Sequence, residues 1–249
     1  MTDSSERIEG AGASVPQGRR ARLVALDTLR GAAIVSMIAF HAMYDWVFVC
    51  GQAAPWFFDG VGRVVWRCSI SWTFIFLAGW MCPFSRSNLK RSGKYALAAL
   101  AVWAVTSLAG VGTPISFGIL YCMAACTFVY AMLRPLLERF HSRILAIGLG
   151  LLFLVAVALM SGARVPFDGI AWLGFPGPTF SSSDYYPLLP YVLLFLAGSA
   201  TSDTVLSYPD WIGRDVCPPL TLAGRHSLLI YLAHQPLLLA LFALAGTLS

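Results

Sequence analysis

Charged residues are scarce in this sequence. Of its 249 residues only 12% are charged and 58% are hydrophobic, whereas about 25% of a soluble globular chain is charged. The mean hydropathy is +0.72, and long apolar runs recur from one end of the chain to the other. The composition therefore excludes an ordinary soluble protein and predicts an all-α integral membrane protein within a lipid bilayer.

Metal-ligand patterns are also missing. The six cysteines form no Cys-x-x-Cys pair and have no histidines beside them at metal-ligand spacing, so we predict no metal site. Cys122 and Cys126, four residues apart in an apolar run, are typical of small buried side chains. Cys50 and Cys68 both approach the predicted outer surface, which leaves a disulfide between them open.

A cleavable signal peptide is not indicated either. Residues 1–21 are rich in Gly, Ser, Ala and Arg without apolar periodicity, which favours a disordered cytoplasmic tail. The apolar run at 23–50 is too long and too polar for a signal peptide, and it ends in no convincing small-residue cleavage site. Residues 22–249 are therefore predicted to form a single transmembrane domain.

The apolar runs predict a polytopic bundle of about seven membrane-spanning helices. Each run is close to the roughly 20 residues that cross about 30 Å of hydrocarbon, and tilt takes up the surplus. Only a tight Gly/Pro turn separates the third run from the fourth. The predicted spans are residues 23–49, 61–82, 94–112, 115–134, 143–161, 185–202 and 222–246.

The basic residues orient this bundle. Thirteen of the 17 lysines and arginines fall in the N-terminal tail or in loops that would share its side of the membrane. Three, Arg63, Arg67 and Arg164, fall on the other side. Because cytoplasmic loops carry the excess of Lys and Arg, we predict a cytoplasmic N-terminus and an outer C-terminus. The net charge of +5 then reflects topology and not nucleic-acid binding.

Four ionisable residues interrupt the first apolar run: Asp27, Arg30, His41 and Asp45. On a helix of about 100° per residue all four lie within a wedge of roughly 60°. Asp27 and Arg30 lie near the cytoplasmic end, and His41 follows about 16 Å further toward the outside. Ionisable side chains at membrane depth are costly and indicate a functional site, so we expect the other helices to surround this stripe.

His41 and Asp45, four residues apart, are predicted to touch on one helix face. A carboxylate beside an imidazole can fix its tautomer, as a general base requires. The alternative is that His41 only makes a structural hydrogen bond between helices. Arg63 and Arg67, one turn apart, can pair with Asp45 or Asp59, hold an anionic or hydroxylated substrate, or extend to the interface.

The last apolar run carries two histidines. His226 and His234 are eight residues apart and about 80° apart around a helix, so both can face one interior. Arg225 and His226, near the predicted cytoplasmic end of this run, can bind phosphates. The alternative for Arg225 alone is a positively charged anchor that fixes the topology. Asp184, after a serine run, is either a polar residue of the substrate path or the N-cap of the sixth span.

Four ordered motifs run through the chain. They are Arg22–Gly31 with His41, Ile115–Cys122, Asp184–Pro190, and Gly224–Ser227 with Tyr231, His234 and Pro236. The first resembles the first-helix motif of transmembrane acyltransferases. Together the motifs resemble the bacterial branch of the heparan-alpha-glucosaminide N-acetyltransferase catalytic family, over about residues 22–246.

The resemblance implies transfer of an acyl group, typically acetyl from cytoplasmic acetyl-CoA, to a hydroxyl or amine on the far side. Its acceptor would be an unidentified glycan or lipid-linked molecule, and its location a bacterial inner membrane. The donor would be held by Asp27, Arg30, Arg225, His226 and Ser227, with the two arginines on its phosphates.

His41 would be the general base, supported by Asp45. In the lysosomal member of the family the catalytic histidine follows the first helix, whereas residues 42–60 here contain no histidine. An alternative function is a carrier of a small solute or proton that uses the same polar stripe. The residues predicted to line the substrate path are Arg63, Arg67, Asp184 and His234.

Overall fold

The computed structural model describes residues 24–58, 60–109, 113–140, 143–204 and 213–246, and this part of the chain is helical without a strand. The predicted tail at 1–21 lies outside the described residues. The helices are α1 Val24–Tyr44, α2 Pro55–Phe58, α3 Val61–Trp80, α4 Asn88–Ala109, α5 Ile119–Phe140, α6 Arg143–Met160, α7 Leu188–Thr204, α8 Pro218–Arg225 and α9 Ser227–Leu244.

Five helical segments are long and apolar enough to cross a membrane. They are Val24–Val49, Val61–Trp80, Ile119–Leu137, Arg143–Met160 and Ser227–Leu244. The apolar part of α7, Leu188–Ser202, is shorter, and α4 begins with a polar first turn at Asn88. The all-helical membrane class therefore agrees with the structure, while the count of seven spans and the orientation stay predictions.

Three helix boundaries differ from those predicted. The first helix ends in a π-helical turn, Asp45–Val49. The helix predicted from residue 185 begins at Leu188, after a loop of aromatic and serine residues. The segment predicted as one span from residue 222 contains the end of α8 and all of α9, because His226 adopts non-helical backbone angles between them.

The bundle is built from a chain of helix pairs. α1 packs against α3 and α8, α3 packs against α7, and α7 also contacts α5 and α6. Gly79 of α3 and Gly198 of α7 each lie against a backbone carbonyl of the other helix, with no room for a Cβ atom. Cys122 and Cys126 are fully buried in the core between these helices, as predicted.

The outer faces of the helices are apolar. Phe153 is the only buried residue of α6, and Ile144 and Leu159 on the same helix are 82% and 76% exposed. A helix that is apolar all round while exposed on most of its surface is suited to lipid. Cys50 and Cys68, both among the described residues, do not form a disulfide.

Candidate functional site

Two glycines bring α1 and α8 into backbone contact. A Cβ atom on Gly31 would overlap the carbonyl oxygen of Leu220, and one on Gly224 would overlap the carbonyl oxygen of Asp27. Only glycine permits so close an approach. The first and fourth sequence motifs, almost 200 residues apart in the chain, therefore lie directly against each other.

Asp27 is the buried carboxylate between these two helices. It is 5% exposed, and its oxygens lie 3.7 Å from Nη1 of Arg30 and 3.6 Å from Nε of Arg225. The hydroxyls of Thr28 and Thr221 are 2.7 Å apart and add a second polar link between α1 and α8. A buried carboxylate with two guanidinium partners holds both arginines in place.

Arg30 extends this cluster to two further helices. Its Nη2 donates to Oγ of Ser227 at 3.4 Å, and its Nη1 lies 3.3 Å from the sulfur of Met81 at the end of α3. The structure thus brings together four of the five predicted donor-site residues. The fifth, His226, is exposed at the break between α8 and α9.

A second cluster lies further along α1 and pairs His41 with His234. The two ring centroids are 4.8 Å apart, with the planes inclined by 66°. Nδ1 of His41 lies 3.0 Å from the carbonyl of Met37, and Nδ1 of His234 contacts the carbonyl of Tyr231. Because a carbonyl only accepts, we assign the proton of each neutral ring to Nδ1, which leaves both Nε2 atoms as proton acceptors.

The Nε2 atom of His234 is buried and has no hydrogen-bond partner among the described residues. His234 itself is 8% exposed. Nearly all buried polar atoms in proteins are hydrogen-bonded, so an unpartnered one needs an explanation. A lone pair in an apolar bundle, beside a second imidazole with the same tautomer, is suited to accept a hydrogen bond from a ligand.

The hydrogen-bond partner of Asp45 is Gln235 and not the predicted His41. Its carboxylate is 2% exposed and receives hydrogen bonds from the side-chain amide of Gln235, at 3.0 Å to each oxygen. The π-helical turn that begins at Asp45 changes the rotation per residue, so the angles of a regular helix do not continue past Tyr44. Asp45 still interacts electrostatically with His41.

Gln235 is a residue that the sequence reasoning missed. The signal available was an amide side chain directly after an intramembrane histidine, in an otherwise apolar stretch. Its position next to His234 means that one turn of α9 contacts both acid–base candidates of α1. The stripe on α1 therefore faces α8 and α9 along its whole length.

Asp184 caps a helix other than the predicted one. Its Oδ2 accepts a hydrogen bond from the backbone N–H of Ile119, at 3.1 Å, in the first turn of α5. Gly118 leaves room for this carboxylate, since a Cβ atom there would lie 2.8 Å from Oδ2. The predicted cap of the sixth span is wrong, because α7 begins only at Leu188.

The Asp184 carboxylate also interacts electrostatically with His41 of the histidine cluster. Burial raises its pKa, while the Ile119 N–H, the charge of Arg67 and that of His41 when protonated act in the opposite direction. Arg63, by contrast, places its guanidinium 5.2 Å above the ring of Phe48 and makes a cation–π contact at the start of α3. Asp59, its other predicted partner, lies outside the described residues.

The model of the heparan-alpha-glucosaminide N-acetyltransferase catalytic family matches residues 22–236, most of the chain. The chain belongs to this family. Neither the curated proteins nor the solved structures compared with it give a match.

Membership in the heparan-alpha-glucosaminide N-acetyltransferase family implies transferase activity, and acetyltransferases of this kind use acetyl-CoA. The matched region contains both clusters in full, from Asp27 to Gln235. The residues of the first cluster fit an anionic donor, because Arg30 and Arg225 both lie beside the Asp27 carboxylate and Arg30 also contacts the Ser227 hydroxyl. Guanidinium groups bind phosphate oxygens through paired charged hydrogen bonds.

Proposed function

We propose that the protein is a membrane acetyltransferase of a bacterial inner membrane. It would transfer an acetyl group from cytoplasmic acetyl-CoA to a hydroxyl or amine of a glycan or lipid-linked acceptor at the outer side. The observation that carries this proposal is the His41–His234 pair, in which both Nε2 atoms are available as proton acceptors. Family membership supports the reaction class.

His41 acts as the general base in this proposal. Its Nε2 accepts the proton of the acceptor hydroxyl or amine while the acceptor atom bonds to the carbonyl carbon of the thioester. As the carbon–sulfur bond breaks, the imidazolium returns that proton to the leaving sulfur. The thioester supplies the acyl group, and the hydrogen bond from Nδ1 to Met37 holds the ring in the required tautomer.

His234 would position the acceptor. Its unpartnered Nε2 can accept a hydrogen bond from a second hydroxyl of the acceptor, so that the reacting group faces His41. The pair of hydrogen bonds between Gln235 and Asp45 holds this turn of α9 against α1. Holding two reacting groups in the correct geometry is a large part of catalysis.

Arg30, Arg225 and Ser227 would hold the phosphates of the donor at the other end of the stripe. Arg30 and His41 are separated by 11 residues of the helix α1, which corresponds to about 16 Å. The two clusters would therefore bind the nucleotide end and the reactive end of one elongated donor. This arrangement would let the donor stay on the cytoplasmic side while the acceptor approaches from the outside.

The direct test removes the proposed base. We expect His41→Ala to abolish acetyl transfer by purified protein in proteoliposomes supplied with acetyl-CoA and a lipid or glycan extract, with the thermal unfolding midpoint little changed. His141→Ala is the matched control, because His141 falls in the sequence between the fourth and fifth predicted spans, and it should transfer normally. Full transfer by His41→Ala would contradict the proposal.

The same proteoliposomes distinguish an acetyltransferase from the alternative function, a carrier of a small solute or proton. A carrier predicts flux of solute or protons in the absence of acetyl-CoA, and His41→Ala would reduce that flux. An acetyltransferase predicts a new acetyl mass on the acceptor that requires acetyl-CoA. Mass spectrometry of the acceptor fraction and a flux assay on one preparation therefore distinguish the two functions.

A further inference from the structure

A basic pocket lies where α3 ends and α4 begins. Its volume is about 340 Å³. Four of its lining residues are cations and two are serines, so every side chain that faces it can donate a hydrogen bond. The lining residues are Ser85, Arg86, Ser87, Lys90, Arg91 and Lys94.

The positive charge of this pocket is not balanced by carboxylates. The sequence has no aspartate or glutamate between Asp59 and Glu138, and in the described part of the chain none of the four cations forms an ion pair. The Ser87 hydroxyl accepts a hydrogen bond from the backbone N–H of Lys90, at 3.3 Å, in the first turn of α4. The positive end of this 22-residue helix adds to the field in the pocket.

Arg91 connects the pocket to the Asp27 cluster. Its Nη1 lies 3.7 Å from the sulfur of Cys82, and the neighbouring residue, Met81, contacts Arg30 at 3.3 Å. Arg91 and Arg30 also interact electrostatically. The basic pocket therefore lies close to the cluster to which the proposed function assigns the donor phosphates.

The charge of the donor exceeds what the Asp27 cluster supplies. Among the described residues, Arg30 and Arg225 both pair with Asp27, so this carboxylate offsets part of their positive charge. A phosphomonoester alone carries about −1.5 to −2 at neutral pH, and the diphosphate of a coenzyme A donor adds to it. We propose that the α3–α4 pocket binds the phosphomonoester at the nucleotide end of the acyl donor, an inference that rests on the proposed function.

Lys90 and Lys94 are the residues on which to test this pocket. They are exposed and lie one turn apart on α4, so their side chains share a face. Replacing both by glutamine keeps the length of the side chains nearly unchanged and removes two charges. Arg143→Gln is the matched control, because it removes a basic residue from the predicted cytoplasmic side outside the pocket.

The experiment compares coenzyme A with 3′-dephospho-coenzyme A, which lacks the phosphomonoester. Binding is measured to the purified full chain in phosphatidylcholine nanodiscs. We expect the unmodified protein to bind coenzyme A about tenfold more tightly than the dephospho form, since hydrogen bonds to charged groups contribute more than neutral ones. Lys90→Gln/Lys94→Gln should lose this preference and bind the dephospho form as before, and Arg143→Gln should keep it.

Each other outcome overturns the assignment in a recognisable way. If the double variant keeps the preference, or the unmodified protein has none while it still transfers acetyl, the phosphomonoester binds elsewhere and the proposed function stands. If the unmodified protein binds neither nucleotide, the proposed function fails and the pocket assignment fails with it. A lipid headgroup is indicated if the variant keeps its preference and phosphatidylglycerol nanodiscs raise the thermal stability of the unmodified protein but not that of the variant.

Discussion

At the scale of single residues, one buried amide–carboxylate pair links α9 to α1. Gln235 donates to both oxygens of Asp45, which is 2% exposed. The pair is next in sequence to His234 and close in space to His41. A buried carboxylate without its donor carries the cost of desolvation uncompensated, so this pair orients the acid–base residues and also stabilises the fold.

Substitution of Gln235 should therefore affect stability and catalysis together. We expect Gln235→Ala to destabilise the protein by about 1–3 kcal/mol, because it leaves the Asp45 carboxylate buried without its donor. It should also reduce kcat, because the turn of α9 that carries His234 loses its contact with α1. Thermal unfolding in detergent and the acetyl-transfer assay measure the two effects.

A swapped pair provides the control for this prediction. Gln235→Glu alone should be at least as harmful as alanine, since it places two carboxylates in contact. Adding Asp45→Asn restores an amide and a carboxylate in exchanged positions, and stability should recover. If the double variant is no more stable than Gln235→Glu, the pair does not hold α9 through these hydrogen bonds.

At the scale of helices, the site exists because two of them approach to backbone contact. Gly31 and Gly224 remove the side chains that would separate α1 from α8. This contact places Arg225 on Asp27 and leads the chain into α9 at Ser227, which binds Arg30. The donor cluster is therefore a product of helix spacing, not only of residue type.

A single methyl group added at Gly224 should push α1 and α8 apart. We expect Gly224→Ala to destabilise the protein by about 1–3 kcal/mol, as overpacked positions do, and to weaken donor binding because Arg225 moves away from Asp27. Gly148→Ala in α6 is the matched control. A Cβ atom at Gly148 meets nothing within 4 Å, so alanine there should be neutral or slightly stabilising. Equal effects of the two variants would contradict the role of helix spacing.

The same helices show how far sequence reasoning reaches. The polar stripe on α1 could be predicted, because charges in apolar helices are rare and helical periodicity fixes their face. Its relation to Arg225 and Ser227 is implied by the family resemblance. The Gln235 contact, the cap that Asp184 forms on α5 and the separation of α8 from α9 could not be predicted. Each depends on a tertiary contact or a local backbone break, to which periodicity along one segment is insensitive.

At the scale of the whole molecule, the position of each loop depends on which helices cross the membrane. Five segments meet the length and apolarity expected of a span, while α4 and α7 account for the two further predicted spans. α4 lies between the basic pocket at its start and α5, and α7 lies between the loop of residues 161–187 and α8. The side on which each loop lies therefore decides whether the donor pocket faces the cytoplasm, as the proposed function requires.

Three labels in intact cells determine whether α4 and α7 cross the membrane. We predict that cysteines introduced at Arg86→Cys and Ser181→Cys, both exposed positions, react differently with a membrane-impermeant thiol reagent, and that a C-terminal reporter lies outside. Seven spans place Ser181 and the C-terminus outside and Arg86 inside, as the distribution of basic residues requires. If α4 does not cross, Arg86 and Ser181 will be labelled from the same side. If α7 does not cross, the C-terminus will lie on the side opposite Ser181, and either result would replace the seven-span topology.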